Sequence, residues 1–284
     1  MTPQAKILAG VMGWPVDHSR SPALHGYWLK TYGIHGSYVR LPVRPEDLAK
    51  ALRELPAMGY AGVNLTVPHK EAALDLVDEI SPQGRRIGAV NTIFVGANGR
   101  LTATNTDAYG FIANLKSGAP HFEAKAAPAV VLGAGGAARA VCVALQDAGV
   151  PEICVINRTT ARAEKLAHDL GGSLIAAPWS ERARRLKTAG LLVNTTVLGM
   201  KGQDPLDLDL HALSPAATVT DIVYVPLETR LLAAARARGN TTVDGLGMLL
   251  YQAQPGFEGW FGFRPEVTPE LRTHMLETDA RAPG

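Results

Sequence analysis

The 284-residue sequence is short of the residues that would commit it to several common protein classes. It holds two cysteines, Cys142 and Cys154, and neither lies in a CxxC or a Cys/His cluster. No zinc site, other metal centre or disulfide framework is therefore expected, and reduced thiols suit a cytoplasmic location. No sign of charge dominates: 28 basic residues stand against 26 acidic, without a basic block or an interleaved basic and aromatic run. That excludes the electrostatic footprint of a nucleic-acid binder and leaves phosphate-bearing small ligands open. The opening "MTPQAKILAGVMGW" lacks the long apolar run and cleavage site of a signal peptide. No stretch approaches the ~18 apolar residues of a membrane span. Without secretion, the N-x-T sequons headed by Asn64, Asn157, Asn194 and Asn240 read as coincidences or as sites of another kind. No internal repeat or low-complexity tract is present.

What is present is enough apolar residue, 46% of the chain, to bury a sizeable core, over a length that predicts two domains. From Ala127 onward, strands and helices alternate. "AAPAVVLGAGG" runs into glycines, "GAARAVCVALQDAG" is helical with Gly149 as its stop, and "EICVINR" is a second strand. The alternation continues to "TTVDG" and predicts a doubly wound parallel sheet covered on both faces. The first hundred residues also read as α/β, with strands at "KILAGVMGW", "GSYVRLPV" and "GVNLTV". Their predicted helices are "SPALHGYWLKTYG", with proline at its first position after a serine cap, "PEDLAKALREL" and "KEAALDLVDEI". "AVNTIFVGANGRLTAT" predicts a hairpin turning at Asn98-Gly99, and "DAYGFIANLKSG" a helix. The boundary falls near Asp107. After Gly245 come the helix "LGMLLYQAQPGFEGWFG", the short helix "TPELRTHML" and a polar tail "ETDARAPG" expected to fray.

"GAGGAA" at 133–138 directly follows a predicted strand and opens a helix, the setting in which G-x-G-x-x-[GA] binds a dinucleotide. Gly133 makes the tight turn, Gly135 lets backbone approach a pyrophosphate, and Ala138 permits close helix-strand packing. The phosphates belong at the helix N-terminus, among free N–H groups. The end of the second strand lacks the acidic residue that NAD binders use for the ribose 2′-hydroxyl. It carries Asn157, Arg158 and Thr159, with Arg162 one turn into the helix. A carboxylate would repel a 2′-phosphate and two guanidiniums can hold one, so NADP(H) is the expected cofactor.

In the first half, Ser19 and Ser21 of "HSRSP" read on their own as a capping arrangement. "GVNLTVPHK", "GAVNTI" and "TNTD" add Asn64, Thr66, Lys70, Asn91 and Asp107 at strand ends or turns, where α/β proteins bind ligands. Within the first of these, alternation sends Val63, Leu65 and Val67 toward the core and Asn64 and Thr66 to the other face. Pro68, lacking an N–H, ends the ladder. His69, which at first suggests an acid–base residue, is taken as a bystander to Lys70.

Together with "GWPVDHSRSP", "GAGGAARA", "NRT", "DIVYVPLET", "DGLGMLLYQ" and "FEGWFG", these motifs run in order over nearly the whole chain. The sequence so read resembles the shikimate dehydrogenase family. The resemblance implies a cytoplasmic enzyme of the aromatic amino-acid pathway that interconverts 3-dehydroshikimate and shikimate with NADP(H). It implies a substrate domain of residues 1–106 rejoined by C-terminal helices 246–284, and an inserted Rossmann-like cofactor domain over 107–245. Lys70 and Asp107 match the family's catalytic pair, and Ser19 and Ser21 the hydroxyls that hold the substrate carboxylate. Thr66, Asn91, Tyr224 and Gln252 match further substrate contacts. Gly133, Ala134, Gly135, Gly136 and Ala137, with Asn157, Arg158, Thr159, Arg162, Ile222 and Gly245, match cofactor positions. Gly26, Pro82 and Val225 depart from the commonest family pattern, which bears on fine specificity rather than on the reaction.

Reducing a ring ketone leaves negative charge on oxygen, so a proton donor must stand beside it. Lysines are ordinarily charged at neutral pH, which suits Lys70 to that task in the reducing direction. Asp107 then orients Lys70 and accepts a hydrogen bond from a substrate hydroxyl. Two close alternatives share the architecture and the catalytic pair, a quinate/shikimate dehydrogenase and an aminoshikimate-type relative. A catalytically silent NADP-binding sensor is an alternative of another class, but it would be expected to have lost Lys70 or Asp107, and both are present. The expected partners are a small-molecule substrate and the cofactor, with no membrane or nucleic acid, in a monomer or homodimer.

Overall fold

The structure is a computed structural model and describes residues 6–280. Described residues up to Thr106 and from Leu249 onward form one compact unit, and Asp107–Met248 form a second.

The first unit runs β1 (Ile7–Gly13), α1 (Ser21–Thr31), β2 (Gly36–Pro42), α2 (Leu48–Glu54), β3 (Tyr60–Leu65), α3 (His69–Ala72), β4 (Glu79–Ile80), α4 (Pro82–Ile87), β5 (Thr92–Val95) and β6 (Leu101–Thr104). Its six strands lie in the order β2-β1-β3-β5-β6-β4. β1 pairs in parallel with β2 and β3, while β3, β5 and β6 pair antiparallel. The expected hairpin is β5–β6, with Gly99 in its turn at φ +76°, a value that favours glycine. One face of the sheet buries Met12, Leu65 and Ile93 against Leu48 and Leu52.

The second unit runs α5 (Asp107–Gly118), β7 (Ala129–Leu132), α6 (Gly136–Asp147), β8 (Ile153–Ile156), α7 (Thr160–Leu170), β9 (Leu174–Ala177), α8 (Arg182–Leu186), β10 (Leu191–Asn194), β11 (Thr218–Asp221), α9 (Arg230–Ala237) and β12 (Thr241–Val243). The order β12-β11-β10-β7-β8-β9 is parallel throughout, and four of these strands are fully buried: β7, β8 and β10 as near-continuous apolar runs, and β11 with two threonines and Asp221 among its four residues. The chain then forms α10 (Leu246–Phe261) and α11 (Pro269–Ala280). These return to the first unit as expected: Trp260 Nε1 donates to Ile93 O at 2.9 Å, and Trp28 Nε1 to Glu266 O at 3.0 Å.

Several local expectations need correction. Helix α1 has Arg20 at its N-cap without a side-chain cap bond, so no serine caps it, although its proline stands in the first turn as expected. The helix expected over "KEAALDLVDEI" shrinks to α3 and a 3₁₀ turn, because Asp78 and Ser81 bond to Leu101 and Ala103 and draw β4 into the sheet. Helix α4 was not anticipated. Ser81 caps it by accepting from Gly84 N at 3.0 Å, and Pro82 is its first residue, which gives that departure from the family pattern a structural role. The tail expected to fray is helical to Ala280, and residues 281–284 lie outside the described residues. Strand β3 ends at Leu65, so Val67 is 70% exposed rather than in the core, whereas Asn64 is buried.

Both cysteines are buried, which pushes their thiols up to about 12 for Cys142 and about 11 for Cys154 and holds them protonated at neutral pH. Among the described residues, no helix is long and apolar enough to cross a membrane.

Candidate active site

In the first unit the polar residues of the two Asn-Thr pairs, Asn91-Thr92 and Asn105-Thr106, converge. Leu65 N donates to Asn91 O at 2.8 Å, which closes β3 onto the residue preceding β5. Asn91 Nδ2 donates to Thr106 Oγ1 at 3.0 Å and to Gln252 Oε1 at 3.2 Å. Asn91 Oδ1 accepts from Thr106 N at 2.8 Å and from Thr92 Oγ1 at 3.1 Å. Asn91 is 2% exposed and Gln252 9%, so these amides are held by each other rather than by solvent. Asn64 lies beside them, donating to Asn91 O at 3.0 Å and accepting from Tyr38 OH at 2.6 Å. The Ser21 hydroxyl hydrogen-bonds the same phenol, whose titration burial pushes well up. The Tyr38 ring stacks on His25 with centroids 3.9 Å apart.

Lys70 is half-buried in the first turn of α3, and its carbonyl accepts from Val90 N at 2.8 Å. That bond ties the lysine's backbone to the residue before Asn91. His69 is 1% exposed, with Nε2 2.8 Å from Val43 O. Thr66 is half-buried and its N–H donates to Met12 O at 2.9 Å, at the carboxyl end of β1. Ser19 is half-buried, and its Oγ accepts from Ser21 N at 3.4 Å. Of the remaining substrate-side expectations, Asp107, 5% exposed, and half-buried Tyr224 belong to the second unit.

The second unit's sheet order reverses between β7 and β10, and ligands of such sheets bind beyond the carboxyl ends of the strands at that point. Gly133 follows β7 there with φ +109°, and a Cβ would lie 2.6 Å from Thr195 Oγ1 after β10. Only glycine fits both demands. The 133–137 loop leads into α6, where Ala138 is fully buried, and a Cβ on Gly135 would meet nothing within 4 Å, leaving backbone open to approach. Beyond β8, Asn157 Nδ2 donates to Thr159 O at 3.0 Å, while Arg158, Thr159 and Arg162 are exposed. These residues fit a 2′-phosphorylated dinucleotide: an open glycine turn at a twelve-residue helix, two exposed guanidiniums and no carboxylate at 157–159. A Cβ on Gly245 would collide with the Ile222 carbonyl, so these two cofactor-side positions touch.

Sequence reasoning missed Tyr38, Thr92 and Thr106, and in the second unit Asp221. The Asp221 carboxylate accepts from Asn194 Nδ2 at 2.9 Å, Val223 N at 3.0 Å and Thr229 Oγ1 at 2.7 Å, bracing the segment that carries Ile222 and Tyr224. Burial pushes its carboxyl up to about 6 against those three bonds. The repeated Asn-Thr pairs were the available signal for Thr92 and Thr106.

A family model for the shikimate dehydrogenase substrate binding domain matches residues 11–93, and one for shikimate/quinate 5-dehydrogenase matches residues 116–198. A shikimate dehydrogenase (NADP+) of Paramagnetospirillum magneticum is 61% identical over 95% of this chain and 98% of its own length. The chain belongs to the shikimate dehydrogenase family. The expected fold, family and enzyme class are thereby borne out. Among solved structures, the Thermus thermophilus shikimate 5-dehydrogenase in complex with NADP(H) and shikimate is 41% identical, with TM-score 0.84 over 97% of this chain and 99% of that one. A Corynebacterium glutamicum quinate dehydrogenase in complex with NAD is 34% identical, with TM-score 0.90 over 96% and 99%. Backbone likeness therefore does not separate shikimate from quinate or NADP from NAD.

Proposed function

We propose that the chain reversibly reduces 3-dehydroshikimate to shikimate, with the first unit holding the substrate and the second the NADP(H). The observation that carries this reading is the buried Asn91–Gln252 amide pair, set among Thr106, Thr92 and Asn64 at the strand ends adjoining Lys70. A polyhydroxylated ring acid needs donors and acceptors fixed in advance, and residues already bonded to one another lose little freedom on binding it.

Bound NADPH supplies the hydride that adds to the carbonyl carbon. Lys70 Nζ stands beside the carbonyl oxygen, stabilises its developing charge and delivers the proton. Asp107, the other member of the proposed catalytic pair, accepts from a ring hydroxyl. Ser19 and Ser21 hold the substrate carboxylate, while Thr66, Asn91, Tyr224 and Gln252 bond the ring hydroxyls. Gly133 to Ala137 would receive the pyrophosphate, Asn157, Arg158, Thr159 and Arg162 would hold the 2′-phosphoribose, and Ile222 and Gly245 would complete the cofactor side.

An assay of the purified protein with shikimate and quinate, each with NADP and NAD, tests the reading. Turnover greatest with shikimate and NADP is expected. Preferred oxidation of quinate, or equal turnover with NAD, would overturn it.

A further inference from the structure

We propose that Thr92 is a positioning residue: its hydroxyl is the central link of a chain of hydrogen bonds, accepting from the Asn64 amide and donating to the Asn91 amide, and so couples two side chains that backbone groups also hold. The proposal rests on the substrate reading above for its functional consequence but not for its geometry. The Ser21 hydroxyl bonds the Tyr38 phenol, and the phenol donates to Asn64 Oδ1 at 2.6 Å. Asn64 Nδ2 donates to Thr92 Oγ1 at 3.1 Å, and Thr92 donates in turn to Asn91 Oδ1 at 3.1 Å. Asn91 Nδ2 donates to Gln252 Oε1 at 3.2 Å, and Gln252 Nε2 ends the chain on Leu249 O at 3.1 Å.

An amide can be turned end for end without changing shape, so its orientation is decided only by which neighbours donate and which accept. A hydroxyl that accepts from one amide and donates to the next adds a direct link between them to the backbone bonds that already orient each, from Asn64 Nδ2 to Asn91 O at 3.0 Å and from Thr106 N to Asn91 Oδ1 at 2.8 Å. Thr92 is placed to do this by register: it is the cross-strand partner of Asn64 on β3 and of Thr104 on β6. It is completely buried, so no water replaces it, and valine would keep its shape while removing the link.

The test compares Thr92→Val with Thr92→Ser. In Thr92→Val the KM for shikimate should rise about tenfold, the scale of one buried hydrogen bond, with the KM for NADP unchanged. Thr92→Ser should restore the shikimate KM to within about threefold. An unchanged shikimate KM in Thr92→Val, an equal rise in both KM values, or a serine variant as impaired as valine would overturn the proposal. The geometry is read independently by NMR of the side-chain amides. The Asn64 NH₂ protons should be protected from solvent exchange in the parent chain and in Thr92→Ser and less protected in Thr92→Val, which removes one of their two acceptors, while the Asn91 NH₂, bonded to Thr106 and Gln252, should be unchanged. Fully retained Asn64 protection in Thr92→Val overturns the proposal whatever the substrate proves to be, whereas reduced protection in a chain that does not turn over shikimate locates the failure in the functional reading. Should Thr92→Val fail to fold, Tyr38→Phe removes the donor one link upstream. It should raise the shikimate KM several-fold and expose the Asn64 amide, and no change in either would overturn the chain.

Discussion

Asn91 and Gln252 in the first unit are buried and bonded side chain to side chain, while Arg158 and Arg162 in the second stand exposed beside a loop whose essential residue, Gly133, has no side chain. The site proposed in the first unit thus consists of interlocked polar groups in low-dielectric surroundings. The second builds its site from backbone at a helix N-terminus and from solvated charges. Interlocked groups fail together when one is removed, whereas solvated charges contribute modest and separable amounts.

The hardest blow to this contrast should come at Lys70. Lys70→Ala is expected to lower kcat by about 10²–10⁴, or roughly 3–5.5 kcal/mol of barrier, while leaving the shikimate KM nearly unchanged. Steady-state kinetics with a near-normal kcat would remove Lys70 from its role.

Acid should separate the units next. Burial among aromatic rings drives His25 down to about 3 from 6.5, and neither ring nitrogen has a hydrogen-bond partner among the described residues. Because its folded value is the lower one, the stability it preserves is complete above about pH 6.5. That stability is lost as pH falls toward 3, by about 1.4 kcal/mol per pH unit. Asp221 has the opposite sign: its carboxyl is raised from 3.8 to about 6, so its contribution is complete below 3.8 and lost as pH rises through 6. Native-state hydrogen exchange between pH 4 and 6.5 should show amides of β2, which carries the Tyr38 ring stacked on His25, less protected as pH falls and β11 amides more protected. His25→Phe should abolish the first trend and leave the second.

On the cofactor side, Arg158→Ala and Arg162→Ala should each reduce kcat/KM for NADP by about tenfold and leave NAD unaffected, the scale of one charge-assisted contact. Parallel losses with both cofactors would show that the arginines do not read the 2′-phosphate. The smallest effect is expected at Gly26, an exposed residue within α1 where a Cβ meets nothing within 4 Å. Gly26→Ala should raise stability in urea by about 1 kcal/mol through helix propensity, with the shikimate KM unchanged.

The second unit was the more legible from sequence. Strands β7, β8 and β10 are short apolar runs, glycines at 149, 171 and 239 follow α6, α7 and α9, and the turn after β7 is announced by "GAGGAA", because each feature rests on residues adjacent in the chain. The first unit was harder. Alternation assigned Val67 to the core and Asn64 to the opposite face, but β3 stops at Leu65, and a polar residue is buried when distant partners satisfy it. The Asn64 partners come from β2 and from residues 91 and 92. Ser21 likewise read as a cap until Tyr38, seventeen positions away, proved to be its neighbour.

By itself the sequence determined the fold class, the dinucleotide turn, the preference implied by two arginines in place of a carboxylate, and Lys70 just beyond a strand end. Each follows from backbone freedom, charge or periodicity within a few residues. Only the tertiary structure decided that Tyr38, Asn64, Thr92, Asn91 and Gln252 form one chain of donors and acceptors. Their sequence separations reach 161 residues between Asn91 and Gln252, and only strand register and the return of α10 bring such groups within hydrogen-bonding distance.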